Sequence, residues 1–178
     1  MTRETVNCVG EAVVLKGWVN TRRDMGKLAF IDLRDRTGVV QVVLHPAELD
    51  EASVEAMQEL RSEFCIEIHG IVQKRSEKQI NANVPTGTVE VVAKRVIILN
   101  ESKTLPFELE NTAGINEELR LKYRYLDLRS GRMQRNIRLR DTIITFFREY
   151  MHKHDFVEIE TPILMKGTPE GSREYVVP

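Results

Sequence analysis

The chain has 178 residues, of which 42% are hydrophobic and 30% are charged, and its formal net charge is −1, an ordinary composition for one globular domain with room for part of a second. No apolar run approaches the roughly 18 residues of a membrane span, and the N-terminal residues lack the apolar core of a signal peptide. The two cysteines lie far apart and outside any metal or redox spacing, so no metal site is predicted and the cytoplasm is the expected compartment.

The first hundred residues contain short β-prone segments separated by turn residues. Between the third and the fourth segment, the apolar spacing of residues 49–62 predicts one helix. Five strands with a helix in that place are the layout of an OB-fold, a small Greek-key barrel that binds oligonucleotides on one face. We therefore predict an OB-fold domain over residues 1–100. Its strands are expected at residues 13–19, 28–33, 39–44, 65–72 and 88–93.

The rest of the sequence follows a different pattern. Residues 101–130 begin without periodicity and predict a linker or hinge. Further on, the alternating residues 156–160 predict a strand, which Pro162 ends. We therefore expect the start of a second domain over residues 131–178. Two helices are expected before the strand. One covers residues 117–128, and the other begins after Ser130-Gly131 and runs to about His154, with apolar positions three, four or seven residues apart.

This second part also carries a strong charge asymmetry. Residues 119–148 contain nine basic and two acidic side chains, a local charge of about +7. Such a run is suited to nucleic acid, but a solvated helix face or interdomain ion pairs explain it equally well. The basic residues are Arg120, Lys122, Arg124, Arg129, Arg132, Arg135, Arg138, Arg140 and Arg148.

The strand at residues 28–33 indicates a binding surface on the barrel. Side chains alternate along a strand, so Ala29, Ile31 and Leu33 are expected to share the core face. Phe30 and Asp32 then point outward. An aromatic ring on the solvated face of a barrel strand is poorly explained by packing alone.

Basic and amide side chains accompany this ring. Arg22 and Arg23 enter the strand, and Gln41 falls in the middle of the next one. One hypothesis is a platform for single strands, in which Phe30 stacks on a base, Gln41 bonds a base edge and the arginines contact phosphates or bases. The alternative is an ordinary surface cluster, because scattered exposed aromatics need no function. Together, on an OB-like pattern, these residues favour nucleic-acid binding.

The connection between the fourth and fifth strands adds further polar candidates. In an OB-fold this loop grips the ligand. Arg75 and Asn81 are candidates to contact bases or backbone, and Glu90 is a candidate to accept a hydrogen bond from a base. A polar hairpin without a ligand is the alternative, and it is the stronger interpretation for Lys74, Glu77 and Lys78.

The last stretch, residues 161–178, carries a glycine-rich loop with acidic and basic residues after a proline. A loop of this kind usually opens an active site, and no sequence follows it to complete one. We therefore expect the chain to be the front part of an enzyme.

Four stretches resemble the bacterial-type aspartyl-tRNA synthetases, which are class II aminoacyl-tRNA synthetases. The resemblance covers essentially the whole chain. The barrel pattern and the motif Arg124–Leu128 also suit lysyl and asparaginyl relatives, whereas the loop Thr168–Arg173 points to the aspartyl member. The four stretches are Gly17–Gly26, Phe30–Gln41, Leu121–Arg129 and Glu160–Arg173.

By this resemblance, the barrel is an anticodon-binding domain for tRNA, and Phe30 stacks in the anticodon. Gln79 stands where several relatives have asparagine. The helix from Met133 and the strand through Pro162 resemble the first class II signature, which builds a homodimer interface. Glu170 is expected to pair with the α-ammonium of aspartate from a mobile flap. The other anticodon readers that the resemblance implies are Arg23, Gln41, Arg75, Asn81 and Glu90.

The resemblance further implies a parent enzyme that activates aspartate with ATP and Mg²⁺ and transfers it to tRNA. The second and third class II signatures, which supply the ATP-binding arginines and the magnesium-binding acids, are absent from this sequence. We therefore assign no catalytic or metal-binding residue and expect the chain alone to bind no cofactor and to be inactive. The alternative is a stand-alone OB-fold module that binds tRNA or single strands without catalysis. A lysyl or asparaginyl synthetase fragment is a weaker alternative.

Overall fold

The computed structural model describes residues 1–109 and 112–163. The chain forms two compact units, Met1–Pro106 and Phe107–Pro178. The first unit contains the strands β1 (Ala12–Met25), β2 (Leu28–Arg34), β3 (Val39–Leu44), β4 (Cys65–Lys74) and β5 (Val89–Asn100), with the helix α1 (Glu51–Glu59) between β3 and β4. The strands close into a barrel in the order β1-β2-β3-β5-β4, in which only the β3–β5 pair is parallel. The predicted five-stranded OB-fold is confirmed.

Period-two alternation builds the barrel core. On β2, Ala29, Ile31 and Leu33 are fully buried, and Phe30 and Asp32 between them lie on the outer face, as predicted. A fully buried side chain of the size of Ile31 or Leu33 stabilises the fold by about 1.5–3 kcal/mol. A slip of one residue would move this apolar set to the outside, so the alternation also specifies the register of the strands.

The first strand is longer than its sequence predicted. Residues 12–18 of β1 pair with β4, and residues 18–25 pair with β2, so Trp18 belongs to both ladders. The β1–β2 ladder has an irregularity at Asn20. The polar stretch after Val19 has no hydrophobic alternation, which is why a shorter strand was expected. Pairing with β2 supplies the hydrogen bonds that keep it extended.

A buried ion pair lies at this irregularity. Arg34 at the end of β2 donates from Nη2 to both carboxylate oxygens of Glu63, each at 2.7 Å, and from Nη1 to Oδ1 of Asn20 at 2.5 Å. The Glu63 side chain is only 5% exposed, and its residue has a φ of 66° in the turn before β4. A non-glycine residue in this conformation costs roughly 1 kcal/mol or more, which these contacts offset.

The carboxylate of Asp35 binds the N-terminal turn, Thr2–Asn7, to the barrel through hydrogen bonds. Oδ2 of Asp35 accepts from the Thr2 backbone N–H at 2.7 Å, and Oδ1 accepts from the Thr37 backbone N–H at 2.7 Å. Partial burial, the largest single influence, raises the pKa of Asp35, but the hydrogen bonds from Thr37 and Thr2 together lower this pKa to about 2.

The substitution Asp35→Asn is expected to lower the free energy of unfolding of the barrel by about 1 kcal/mol at pH 7, after allowance for the screening of a partly exposed group. The pKa of about 2 in the folded chain lies below the usual 3.8, so the stabilisation is present above about pH 4 and is lost as the pH falls towards 2. Urea unfolding followed by Trp18 fluorescence at several pH values measures the difference. The exposed substitution Glu55→Gln is the control, and a deficit that stays constant down to pH 2 would contradict the assignment.

The second unit contains the helices α2 (Glu117–Lys122), α3 (Arg124–Asp127) and α4 (Gly131–His152). The helix predicted over residues 117–128 is therefore broken, because Tyr123 leaves the helical region with φ −109° and ψ 47°. Ser130 caps α4 by accepting from the Met133 backbone N–H at 3.4 Å. Within the described ranges, none of the helices has the length and apolar composition that a bilayer span requires.

The strand predicted over residues 156–160 is not formed in the described part of the chain. A strand requires a partner for its ladder, and no described segment pairs with these residues. Instead, Arg148 on α4 donates three hydrogen bonds of 2.9–3.0 Å to the Glu158 carboxylate, which lower the pKa of this carboxyl. Pro162, predicted at a dimer interface, is exposed. Glu170 and the loop around it lie outside the described residues.

Candidate nucleic-acid interface

A row of alternating acidic, basic and amide side chains crosses the outer face of the barrel. Nη2 of Arg23 on β1 donates to Oδ1 of Asp32 on β2 at 3.2 Å and to Oε1 of Gln41 on β3 at 3.3 Å. Nε2 of Gln41 donates to Oε2 of Glu90 on β5 at 3.1 Å. We call this set the polar row. Its members are Asp32, Arg23, Gln41, Glu90 and Arg75, and the contacts of Arg75 are described below. The sheet thus brings together residues that lie almost seventy positions apart in the chain.

The register of the strands explains this convergence. Asp32 is directly opposite Gln41 in the β2–β3 ladder, and paired residues place their side chains on the same face of a sheet. The parallel pairing of Val42 with Val91 then places Glu90 beside Gln41. A polar side chain at each of these outward positions therefore produces a continuous row.

Arg75 extends the row from the loop that follows β4. Its Nε lies 3.6 Å from Oε2 of Glu90, and its Nη1 donates to the backbone oxygen of Gln79 at 3.3 Å. The Arg75 side chain is only 8% exposed, yet its Nε has no hydrogen-bond partner among the described residues. A buried charged donor that lacks a hydrogen-bond acceptor is costly, and the Glu90 carboxylate at 3.6 Å offsets part of this cost.

Phe30 stands beside the row. It is half-buried on the outer face of β2, directly opposite Arg23 on β1 and Val43 on β3. The face therefore offers an aromatic ring next to hydrogen-bonding groups, the combination with which a barrel of this type binds unpaired bases. The four charged members of the row carry two positive and two negative charges, so local hydrogen bonding rather than bulk charge distinguishes this surface.

Asn81 is separate from the row in the part of the chain that the structure describes. Its Oδ1 accepts from the Asn83 backbone N–H at 3.0 Å, and its own backbone N–H donates to the Gly87 oxygen at 3.2 Å. A Cβ at Gly87 would lie 1.8 Å from the Asn81 backbone oxygen, so only glycine permits this close approach. Gln79 also serves the loop, because its Oε1 accepts from the Ser76 hydroxyl at 2.8 Å.

Arg22, predicted to contact phosphates or bases, is bound to protein groups in the structure described. Its Nη1 donates to the backbone oxygens of Met57 at 2.9 Å and Leu60 at 2.8 Å, which satisfies carbonyl groups at the end of α1. The neighbouring Arg23 points to the opposite side of the strand and joins the row. Sequence reasoning placed the two arginines together because it did not assign β1 beyond Val19, where alternation separates them. The same reasoning noted that Asp32 points outward but gave it no role.

Comparisons with known proteins place this geometry in a class. A family described as "OB-fold nucleic acid binding domain" matches residues 13–99, and a family described as "tRNA synthetases class II (D, K and N)" matches residues 116–178. An asparaginyl-tRNA synthetase from Pyrococcus horikoshii, solved with asparaginyl-adenylate, matches 93% of the chain and 36% of its own at 30% identity, with a TM-score of 0.78. The fold and these matches together define a barrel of the OB-fold nucleic-acid-binding class joined to class II synthetase sequence.

Curated relatives narrow this class. The chain is 49% identical over 174 residues to the aspartate–tRNA(Asp/Asn) ligase of Geobacillus sp. (strain WCH70) and 52% identical over 170 residues to the aspartate–tRNA ligase of Lysinibacillus sphaericus (strain C3-41). These matches cover 98% and 95% of the chain. The chain belongs to the aspartate–tRNA ligase family. It spans 29% and 28% of the lengths of these two relatives.

Proposed function

We propose that the barrel of this chain reads the anticodon of a tRNA, and that the whole protein charges this tRNA with aspartate. The observation that carries the first part is the polar row beside Phe30 on the outer face of a confirmed OB-fold. The relatives that are named aspartate–tRNA ligases support the second part.

Each side chain has a distinct task in this proposal. Phe30 stacks on an anticodon base, and Gln41 bonds the edge of a base. Arg23 and Arg75 donate to base or phosphate oxygens, and Glu90 accepts from a base amino or imino group. Asn81 contacts the RNA from the loop between β4 and β5. Because unpaired bases expose their hydrogen-bonding edges, a folded surface of this kind distinguishes one anticodon from another.

The second unit belongs to the catalytic part of the proposal. In it, the whole protein activates aspartate with ATP and Mg²⁺, Glu170 binds the substrate's α-ammonium, and Pro162 lies at the interface of a cytoplasmic homodimer. Within the described ranges, no group of three or more histidine, cysteine or acidic side chains is arranged to hold a metal ion, so no step through ATP or Mg²⁺ is assigned to these residues. The class II match over residues 116–178 supports an enzyme over a stand-alone binding module.

The proposal is tested with the anticodon stem-loop of an aspartate tRNA, which carries GUC, and a matched loop with its central U changed. We expect the chain to prefer GUC and to keep this preference when the salt concentration is raised, because the charges within the polar row cancel. Equal binding of both loops that simply fades with salt would show that only phosphate attraction is at work, and the proposed anticodon recognition would be wrong.

A further inference from the structure

Asp32 occupies a place on the binding face that the proposed function does not explain. Its Oδ1 accepts from Nη2 of Arg23 at 3.2 Å, and its Oδ2 accepts from the Thr21 hydroxyl at 2.5 Å. Both partners are on β1, so this carboxylate ties the outer face of β2 to the neighbouring strand. The Asp32 side chain is 25% exposed. Each of its two oxygens accepts a hydrogen bond from a protein group.

Arg23 depends on such an anchor. Its side chain is 57% exposed, and holding a long, exposed arginine in one conformation costs rotamer entropy. Its two contacts on the polar row are the Asp32 carboxylate and Oε1 of Gln41. Hydrogen bonds to a charged acceptor are the stronger kind, so Asp32 contributes more than the neutral amide to holding Arg23 in place.

Arg23 and Glu90 together determine which way the Gln41 amide points. With Arg23 donating to Oε1 and Glu90 accepting from Nε2, the two ends of the amide are distinguished. A flipped amide would place its N–H₂ against the guanidinium and its oxygen against the carboxylate, which are two repulsive contacts. One lone pair of Oε1 and one N–H of Nε2 remain for a ligand, in a defined order.

We infer that Asp32 is a positioning residue for base recognition, which acts through Arg23 to set the polarity of the Gln41 amide. The ligand is a base edge that presents a hydrogen-bond donor on the β2 side and an acceptor on the β5 side. This inference rests on the proposed anticodon recognition. Without Asp32, Arg23 leaves the row, the amide reverses more freely, and the surface tolerates the wrong base.

The first test measures discrimination, defined as the ratio of the Kd for the altered stem-loop to the Kd for the GUC stem-loop. Asp32→Ala is expected to lower this ratio by about tenfold, the value of one well-placed hydrogen bond. Asp32→Asn keeps an acceptor for Arg23 and is expected to restore part of the ratio. Asp24→Ala, which removes an exposed carboxylate paired with Arg22 on the same strand, is the matched control and is expected to leave the ratio unchanged.

The second test asks whether Asp32 acts through Arg23. In an Arg23→Leu background, Asp32→Ala is expected to cause no further loss of discrimination, whereas an equal further loss would show an independent structural effect and overturn the inference. The side-chain amide signals of Gln41 in ¹⁵N NMR spectra of the free chain are expected to shift in Asp32→Ala and not in Asp24→Ala. Unshifted signals would also overturn it.

The outcomes separate this inference from the proposed function. If the wild-type chain prefers GUC and Asp32→Ala retains the full preference, the inference alone is wrong. If the wild-type chain binds both loops equally, the proposed anticodon recognition is wrong and the inference falls with it. Melting curves of each variant show whether the barrel is folded. Thr21→Val, which removes only the hydroxyl that orients Asp32, gives a milder second variant with an expected change in the same direction.

Discussion

The substitution Arg34→Met is expected to lower the free energy of unfolding of the barrel by about 3 kcal/mol. Methionine keeps much of the length of the side chain but removes both hydrogen bonds of 2.7 Å to Glu63 and the bond to Asn20. The Glu63 carboxylate then stays buried without its guanidinium partner, and desolvation of a charge is far more costly than loss of an exposed ion pair.

The measurement uses the single tryptophan of the chain, Trp18, which is opposite Arg34 in the β1–β2 ladder. Urea unfolding followed by its fluorescence reports the barrel. The control Arg36→Met removes an exposed arginine two positions away and is expected to change stability by less than about 0.5 kcal/mol. If Arg34→Met proves equally mild, the buried ion pair does not stabilise the barrel as argued.

A double variant separates the pair from its surroundings. The main cost of Arg34→Met is that the buried Glu63 carboxylate loses its guanidinium partner. Adding Glu63→Gln removes that charge and is therefore expected to recover part of the lost stability. If the loss of stability in the double variant equals the sum of the losses in the two single variants, this reasoning is contradicted.

The substitution Phe30→Ala is expected to weaken binding of the GUC stem-loop by about 1–3 kcal/mol, the range found for loss of one base–aromatic stack. Phe30 is half-buried on the outer face, so its ring retains a free face for a base. Its neighbours on the inner face remain in place, and barrel stability is expected to fall much less than affinity. Fluorescence anisotropy of a labelled stem-loop measures the affinity, and Trp18 fluorescence during unfolding measures the stability.

Two further variants show whether the effect belongs to stacking. Phe30→Leu keeps an apolar side chain without a π-face and is expected to recover stability but little affinity. Tyr125→Ala removes an exposed aromatic ring from α3 in the other unit and is expected to leave stem-loop binding unchanged. Wild-type affinity in Phe30→Leu would show that the site requires only an apolar contact.

Much of the barrel was predictable because strand burial depends on a local pattern. The alternation of apolar and polar residues in 28–33 determines which side chains face the core, and the structure agrees with it at every position of that strand. The outward position of Phe30 and the five-strand order with one helix follow from the same local signals. The long α4 was also expected, since its apolar residues recur at helical spacing.

The local pattern of apolar and polar residues did not predict those segments whose structure depends on contact with another segment of the chain. The second half of β1 is polar and becomes a strand only by pairing with β2, and Arg22 becomes a helix cap only because the end of α1 lies beside it. The predicted strand over residues 156–160 is absent from the described part of the chain for the converse reason, since no described segment pairs with it. Hydrogen-bonded ladders need two strands, and one sequence segment does not reveal its partner.

The sequence by itself determined the class of fold, the family resemblance and the identities of the polar side chains on the candidate face. Only the tertiary structure decided how these side chains are connected. Asp32, Arg23, Gln41 and Glu90 come from four different strands, and the registers of three strand pairs bring them within hydrogen-bonding distance. Contact between residues distant in the chain is set by the closure of the barrel, because burial of the inner faces leaves one register in which every apolar side chain is covered.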